Sequence, residues 1–183
     1  MGAAFTFRAG AGFPGAVSRQ ENSTIEPVLI DASAPPLLYG VPVIIDATTA
    51  GIRPLVAGDT AITNIYGVLV RPFPTSQFSV SNYGNTPLGG AGIPPASGPA
   101  DVLTRGYIIV QVPIGTTVAT KNSAVFVWIA ATSGVHIQGG FETVASGGNT
   151  IAIAGSSYTT GQGNTHFNGP QDANGLIELA FNI

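Results

Sequence analysis

The chain has no cysteine, one lysine (Lys121), one tryptophan and one methionine among its 183 residues. Without cysteine there are no disulfides and no thiolate-bound metal centres. Charged residues make up 8% of the sequence, where an ordinary soluble domain carries about 25%. A charge shortage combined with 44% hydrophobic residues is the reverse of a disorder signature, which joins high charge to low hydrophobicity. The formal net charge is −3 and no two basic residues are adjacent. Nucleic-acid binding therefore lacks the basic stripe that would neutralise phosphates, and none is expected. Long apolar runs are missing as well: "YGVLV", "GYIIV" and "AVFVWIAA" fall far short of the ~18 residues a spanning helix needs. No membrane partner is expected. The N-terminal "MGAAFTFRAGAGFPG" has neither the basic start nor the continuous apolar core of a secretory signal.

What the chain does have is glycine (25) and proline (14), spread so that nearly every potential helix is interrupted. Where they thin out, β-branched and aromatic residues take over and often alternate. "STIEPVLID", "YGVPVIID", "AITNIYGVLVR", "QFSVSNY", "GYIIVQV", "AVFVWIAAT", "GVHIQGGF", "NTIAIAG" and "LIELAFNI" read as strands bounded by turns. A further turn is expected at Lys121-Asn122-Ser123, inside the longest stretch free of Gly and Pro. This pattern predicts an all-β single domain, a β-sandwich or barrel, over residues 23–183. "GYIIV" and "AVFVWI" are apolar at successive positions, as central strands covered on both faces should be. Two stretches stand apart. Residues 1–22 hold Phe5, Phe7, Arg8, Phe13, Pro14 and Arg19 without periodicity and read as an extended arm. Residues 84–100, "GNTPLGGAGIPPASGPA", read as a Gly/Pro loop longer than the usual hairpin connection.

Chemistry-bearing constellations are sparse. The acids Asp31, Asp46, Asp59, Asp101, Asp172, Glu21, Glu26, Glu142 and Glu178 are scattered singly, so no local spacing suggests a general acid–base pair. His136 and His166 lie thirty residues apart, outside any HxH or HExxH metal spacing. There is no GxSxG elbow, and "AGAGFPG" and "GGAGIPP" match neither a phosphate loop nor a dinucleotide fingerprint. Catalytic residues, cofactor and metal are therefore all expected to be absent. Asp172, Asn174 and Gly175 in "GPQDANGLIELAFNI" are too few oxygen donors for a calcium loop. They predict a tight turn launching a strand whose Ile177, Leu179, Phe181 and Ile183 share one buried face.

A β-rich chain with one lysine does little to protect exposed sheet edges. Edges buried in an assembly would remove that conflict, and the Phe- and Arg-bearing arm would then lie on a neighbour. "GFPGAVSRQENSTIEPVLID", "PPLLYGVPVIID", "NIYGVLVRPFPT", "LTRGYIIVQV" and "HFNGPQDANGLIELAFNI" together resemble the structural cement (capsid decoration) proteins of tailed bacteriophages. The motifs are FPG…R, YG-x-PV, YG-x-L-V-R-P and DANG-x-x-E, spread over about residues 13–83 and 102–183. The resemblance implies a jelly-roll-like β-sandwich on the outer surface of the virion capsid, made in the host cytoplasm. It would bridge major capsid proteins without catalysis or cofactor. Closed symmetry favours a homodimer, with a trimer as the alternative. The second reading is a carbohydrate- or receptor-binding module on the same sandwich. It would need an exposed aromatic platform, and Trp128 sits in the most buried-looking strand.

Overall fold

The computed structural model describes residues 12–60, 65–72, 93–115, 117–153 and 164–183. Among the described residues ten strands form in chain order: β1 (Thr24–Ile30), β2 (Pro42–Ile45), β3 (Ile52–Pro54), β4 (Gly67–Leu69), β5 (Gly98–Gln111), β6 (Phe126–Trp128), β7 (Phe141–Glu142), β8 (Thr150–Ala152), β9 (His166–Phe167) and β10 (Leu176–Phe181). The all-β, single-domain expectation is met. The larger sheet runs β1-β3-β2-β4-β5-β10-β9, and a further β1–β5 pairing closes its first five strands into a barrel-like ring. Within the ring β1 and β3 are parallel, while the other pairs are antiparallel. A second sheet runs β7-β6-β8.

β5 is the spine. Its first half, Gly98–Arg105, pairs with β1 along the strand's whole length. From Gly106 onward it leaves the ring and pairs with β10 on one side, Gly106–Gln111 against Leu176–Phe181. Its other side takes the N-terminal segment. Gly15 N–H donates to Ile109 O at 2.8 Å, Ile109 N–H to Ala16 O at 2.8 Å, and Ser18 N–H to Tyr107 O at 3.0 Å.

Two cores explain why these strands are apolar on both faces. Ile30, Val43, Ile52, Leu69 and Val102, from β1, β2, β3, β4 and β5 in turn, form one buried cluster. Their neighbours Ile44, Val68 and Leu103 belong instead to the larger cluster, with Ile108, Val127, Phe141, Phe167, Leu179 and Phe181. Successive residues on a strand point to opposite faces. The ring strands thus fill the ring with one face and pack on the second layer with the other. "GYIIV" and "AVFVWI" are central strands for this reason, β6 lying between β7 and β8.

The structure departs from the sequence reading in several places. Residues 98–100, expected in the long loop, open β5, because Val28, Leu29 and Ile30 supply them with partners. The rest of that loop up to residue 92, and "QFSV", lie outside the described residues. β3 carries a proline and β9 has two residues, so neither shows periodicity. "GVHIQ" is a tight hairpin rather than a strand: Ser133 and His136 exchange both backbone hydrogen bonds around Gly134 and Val135. The turn at Lys121–Ser123 is present, with Ser123 N–H donating to Thr120 O at 3.1 Å. The turn at Asp172 is present too: Asp172 Oδ1 accepts from Asn174 N–H and Leu176 N–H at 2.9 and 2.8 Å. Ile183 does not share the buried face of β10. The strand ends at Phe181, and Asn182, at φ +52°, turns the chain so that Ile183 is 40% exposed.

Candidate functional site

Each ring strand has a neighbour on both sides, whereas β9, β7 and β8 are edge strands among the described residues. The exposed apolar side chains then become informative. Several gather around one groove of about 470 Å³, floored by Tyr39, Val41, Val112 and Phe141 and rimmed by Pro14, Ile114, Val135 and Ile137. Ile114 and Val135 are more than half exposed, and Ile137 is 37% exposed. Arg71 is the charged residue of the lining. Its guanidinium carbon stands 5.3 Å from the centroid of the Phe13 ring, which is itself 62% exposed.

The groove wall is assembled from the sequence motifs. Gly15 of FPG, Gly40 of the first YG, and Arg71 at the end of YG-x-L-V-R-P meet there. Arg71 N–H donates to Gly15 O at 2.8 Å and Gly40 N–H to Leu69 O at 2.9 Å. A Cβ on Gly40 would stand 2.6 Å from Gly15 N, and one on Gly15 would stand 2.9 Å from Arg71 N. Backbone approach that close admits only glycine. The motifs thus build the wall rather than a reactive centre.

Of the residues expected at an interface, Phe5, Phe7 and Arg8 lie outside the described residues. Phe13 and Pro14 flank the groove. Arg19 is engaged within the chain: it stacks over Tyr107 at 4.0 Å and pairs with Glu178 at 2.8 Å. Ser18 Oγ–H donates to the same carboxylate at 2.6 Å. FPG…R and DANG-x-x-E are therefore joined in space, because Arg19 and Glu178 bind the N-terminal segment to β10.

Two polar clusters were not visible in the sequence. At one end of the ring Arg53 reaches Asp59 through two parallel hydrogen bonds of 2.8 and 2.9 Å, and Asp46 at 3.1 Å. Asp31 accepts from Ser33 and Thr49. Hydrogen bonds from Arg53 to Asp59, from the Thr48 and Thr49 amides to Asp46, and from Ser33 to Asp31 hold these carboxyls below their ordinary range. In the second sheet Trp128 stacks on His136 (centroids 4.3 Å apart, 14° between planes), and His136 Nδ1 lies 2.8 Å from Glu142 Oε1. Glu142 is buried, and burial pushes its carboxyl above the ordinary range against the opposing pull of His136. Trp128 is a core residue, as its strand suggested, with Nε1–H donating to Ala131 O at 3.1 Å. No group of three or more His, Cys, Asp or Glu is arranged to hold a metal among the described residues.

A family model described as XM1 gp53 minor capsid protein matches residues 2–181. The chain belongs to the XM1 gp53 minor capsid protein family. Membership makes it a structural component of a bacteriophage and places it in the virion capsid. A chain in the solved capsid of Myoviridae Phage XM1 has a similar fold, with a TM-score of 0.65 at 17% identity. The likeness covers 100% of this family member and 97% of that chain. A search of curated proteins finds no match.

Proposed function

We propose that this capsid protein is a cement. It binds the outer surface of the assembled head and bridges neighbouring major capsid proteins, acting as a small homo-oligomer, a dimer ahead of a trimer. The match to a minor capsid family over residues 2–181 carries the reading. A ligand that binds the assembled shell better than free subunits shifts the equilibrium toward the intact particle by mass action. The surface available suits that role. The ring satisfies its own strand edges, and the side chains we assign to contact are those of the apolar groove, Phe13, Pro14, and the N-terminal Phe5, Phe7 and Arg8. Arg19 serves by holding the root of that segment on β5. No carbohydrate platform is offered by Trp128, which is buried and stacked on His136.

The test is binding of the purified protein to shells that lack it, followed by co-sedimentation. Few charges line the groove, so ~0.5 M salt, which shortens electrostatic reach to a few ångströms, should leave it bound. Deleting residues 1–11 should weaken binding to shells or to further copies by about tenfold or more while the fold persists. The deletion stops before Gly12 because residues 15–18 are hydrogen-bonded on β5. Failure to bind shells, or release at that salt, overturns the proposal.

A further inference from the structure

We infer that the hairpin between β6 and β7 is a movable wall of the groove, and that the contact between His136 and Glu142 is its latch. The inference goes beyond the cement reading and holds whatever fills the groove. The hairpin supplies Gly134, Val135 and Ile137 to the lining, and β7 supplies Phe141. Neither His136 nor Glu142 belongs to that lining. Phe141 and Glu142 are successive in β7 and so point to opposite faces. His136 and Glu142 meet behind the wall, with Nδ1 at 2.8 Å from Oε1. The foot of the hairpin is pinned. Gly139 N–H donates to Trp128 O at 2.7 Å, Trp128 N–H to Gly140 O at 2.9 Å, and Trp128 Nε1–H to Ala131 O at 3.1 Å. Above the foot, residues 132–135 and Ile137 are exposed, so the arm buries little surface of its own. The ring of His136, stacked on Trp128, is what fastens it.

The latch responds to the charge on Glu142. That side chain is 2% exposed, and a buried carboxylate needs a charged or hydrogen-bonding partner. His136 is the group whose hydrogen bond and charge act on it. Of the other titratable residues nearby, Arg71 and Tyr39 lie with Phe141 on the lining side, and Lys121 is exposed in its own turn. Burial raises the Glu142 carboxyl above its ordinary range while the wall is closed. An open wall admits water and returns the carboxyl to that range. The closed state therefore binds the proton more tightly, so falling pH favours the closed wall and rising pH the open one. His136 opposes the opening by holding the carboxylate when it is charged.

Trp128 is the only tryptophan and is buried, so acrylamide quenching of its fluorescence reads the opening in the full chain. H136F keeps a ring over Trp128 but cannot bond Glu142 and does not titrate. At ~pH 8, above the carboxylate range, H136F should be quenched about tenfold or more faster than the parent, the scale of a lost hydrogen bond to a charged group. The excess should disappear as pH falls and Glu142 takes up its proton, and H136F/E142Q should show no pH dependence. A nitroxide on V135C reports the wall itself, since the chain has no cysteine of its own. In the H136F background it should gain mobility at alkaline pH and lose it in acid, in step with Trp128. E142Q alone keeps His136 and removes the buried charge, so it should be quenched no faster than the parent. Four outcomes would each overturn the inference: H136F as well protected as the parent at alkaline pH, a pH dependence that survives in H136F/E142Q, an E142Q that is quenched faster, or a label that stays fixed while Trp128 opens.

Discussion

At the scale of single residues, Glu142 has the most to lose. Its side chain is 2% exposed, and His136 Nδ1 at 2.8 Å is its polar partner in a pocket capped by Trp128. Removing one member of a buried polar pair costs the desolvation of the one left behind. H136A should therefore destabilise the fold by about 1–3 kcal/mol at neutral pH, measured by urea unfolding. E142Q keeps a hydrogen-bonding side chain without the buried charge, so H136A should cost much less in that background, and the double-mutant cycle reads the difference. Burial raises the Glu142 carboxyl above its ordinary range, so the folded state takes up its proton before the unfolded state does. The cost of H136A should accordingly shrink as pH falls through that raised value. A cost that is unchanged at ~pH 5 and in the E142Q background would show that His136 acts only by packing. The sequence showed a histidine between two apolar residues and a glutamate six positions on, a spacing with no meaning until a hairpin turns one onto the other.

At the scale of elements, β5 decides the architecture. Its two halves pair with different strands, β1 and β4 before Gly106 and β10 from it onward, and Gly106 is the point of transfer, with φ at +136°. A Cβ there would lie 2.7 Å from Ser23 Oγ and 3.0 Å from Ser23 Cα. G106A should therefore cost roughly 1–3 kcal/mol, seen as a lowered unfolding midpoint. A melting temperature equal to that of the parent would mean the strand changes partners without this conformation. The sequence made the second half of β5 plain, because "GYIIV" is apolar at every position and both its faces are covered. It concealed the first half, since Gly98 and Pro99 read as loop punctuation. Proline has no N–H to give a ladder, yet Pro99 stands opposite Leu29 in register. The short strands β3 and β9 were concealed for another reason: two or three residues carry no period, and only their partners define them.

For the whole molecule, sparse charge concentrates electrostatic stability in few places. The carboxyls of Asp31, Asp46 and Asp59 are all lowered in the folded state. Groups of that kind contribute stability that is present above their unfolded value and lost as pH falls through the folded one. Glu142 has the opposite sign, so protonating it relieves the fold before the aspartates begin to fail. Stability should hold down to about pH 4 and fall steeply below it. D59N, which weakens the Arg53 pairing, should flatten that fall; an acid transition identical to the parent's would place its origin elsewhere. The sequence by itself determined the fold class and the family. Glycine and proline spacing, β-branched runs and the dispersed FPG, YG and DANG-x-x-E motifs are local chemistry, and local chemistry survives without coordinates. It also led to the expectation that poorly protected edges must be buried by neighbours. Tertiary structure decided which edges those are: pairing β1 with β5 closes the ring, which depends on residues some seventy to eighty positions apart, and leaves β9, β7 and β8 as edge strands among the described residues. It also decided what a partner can touch. Gly15, Gly40 and Arg71 are far apart in the chain, and only packing brings them together beside an apolar groove.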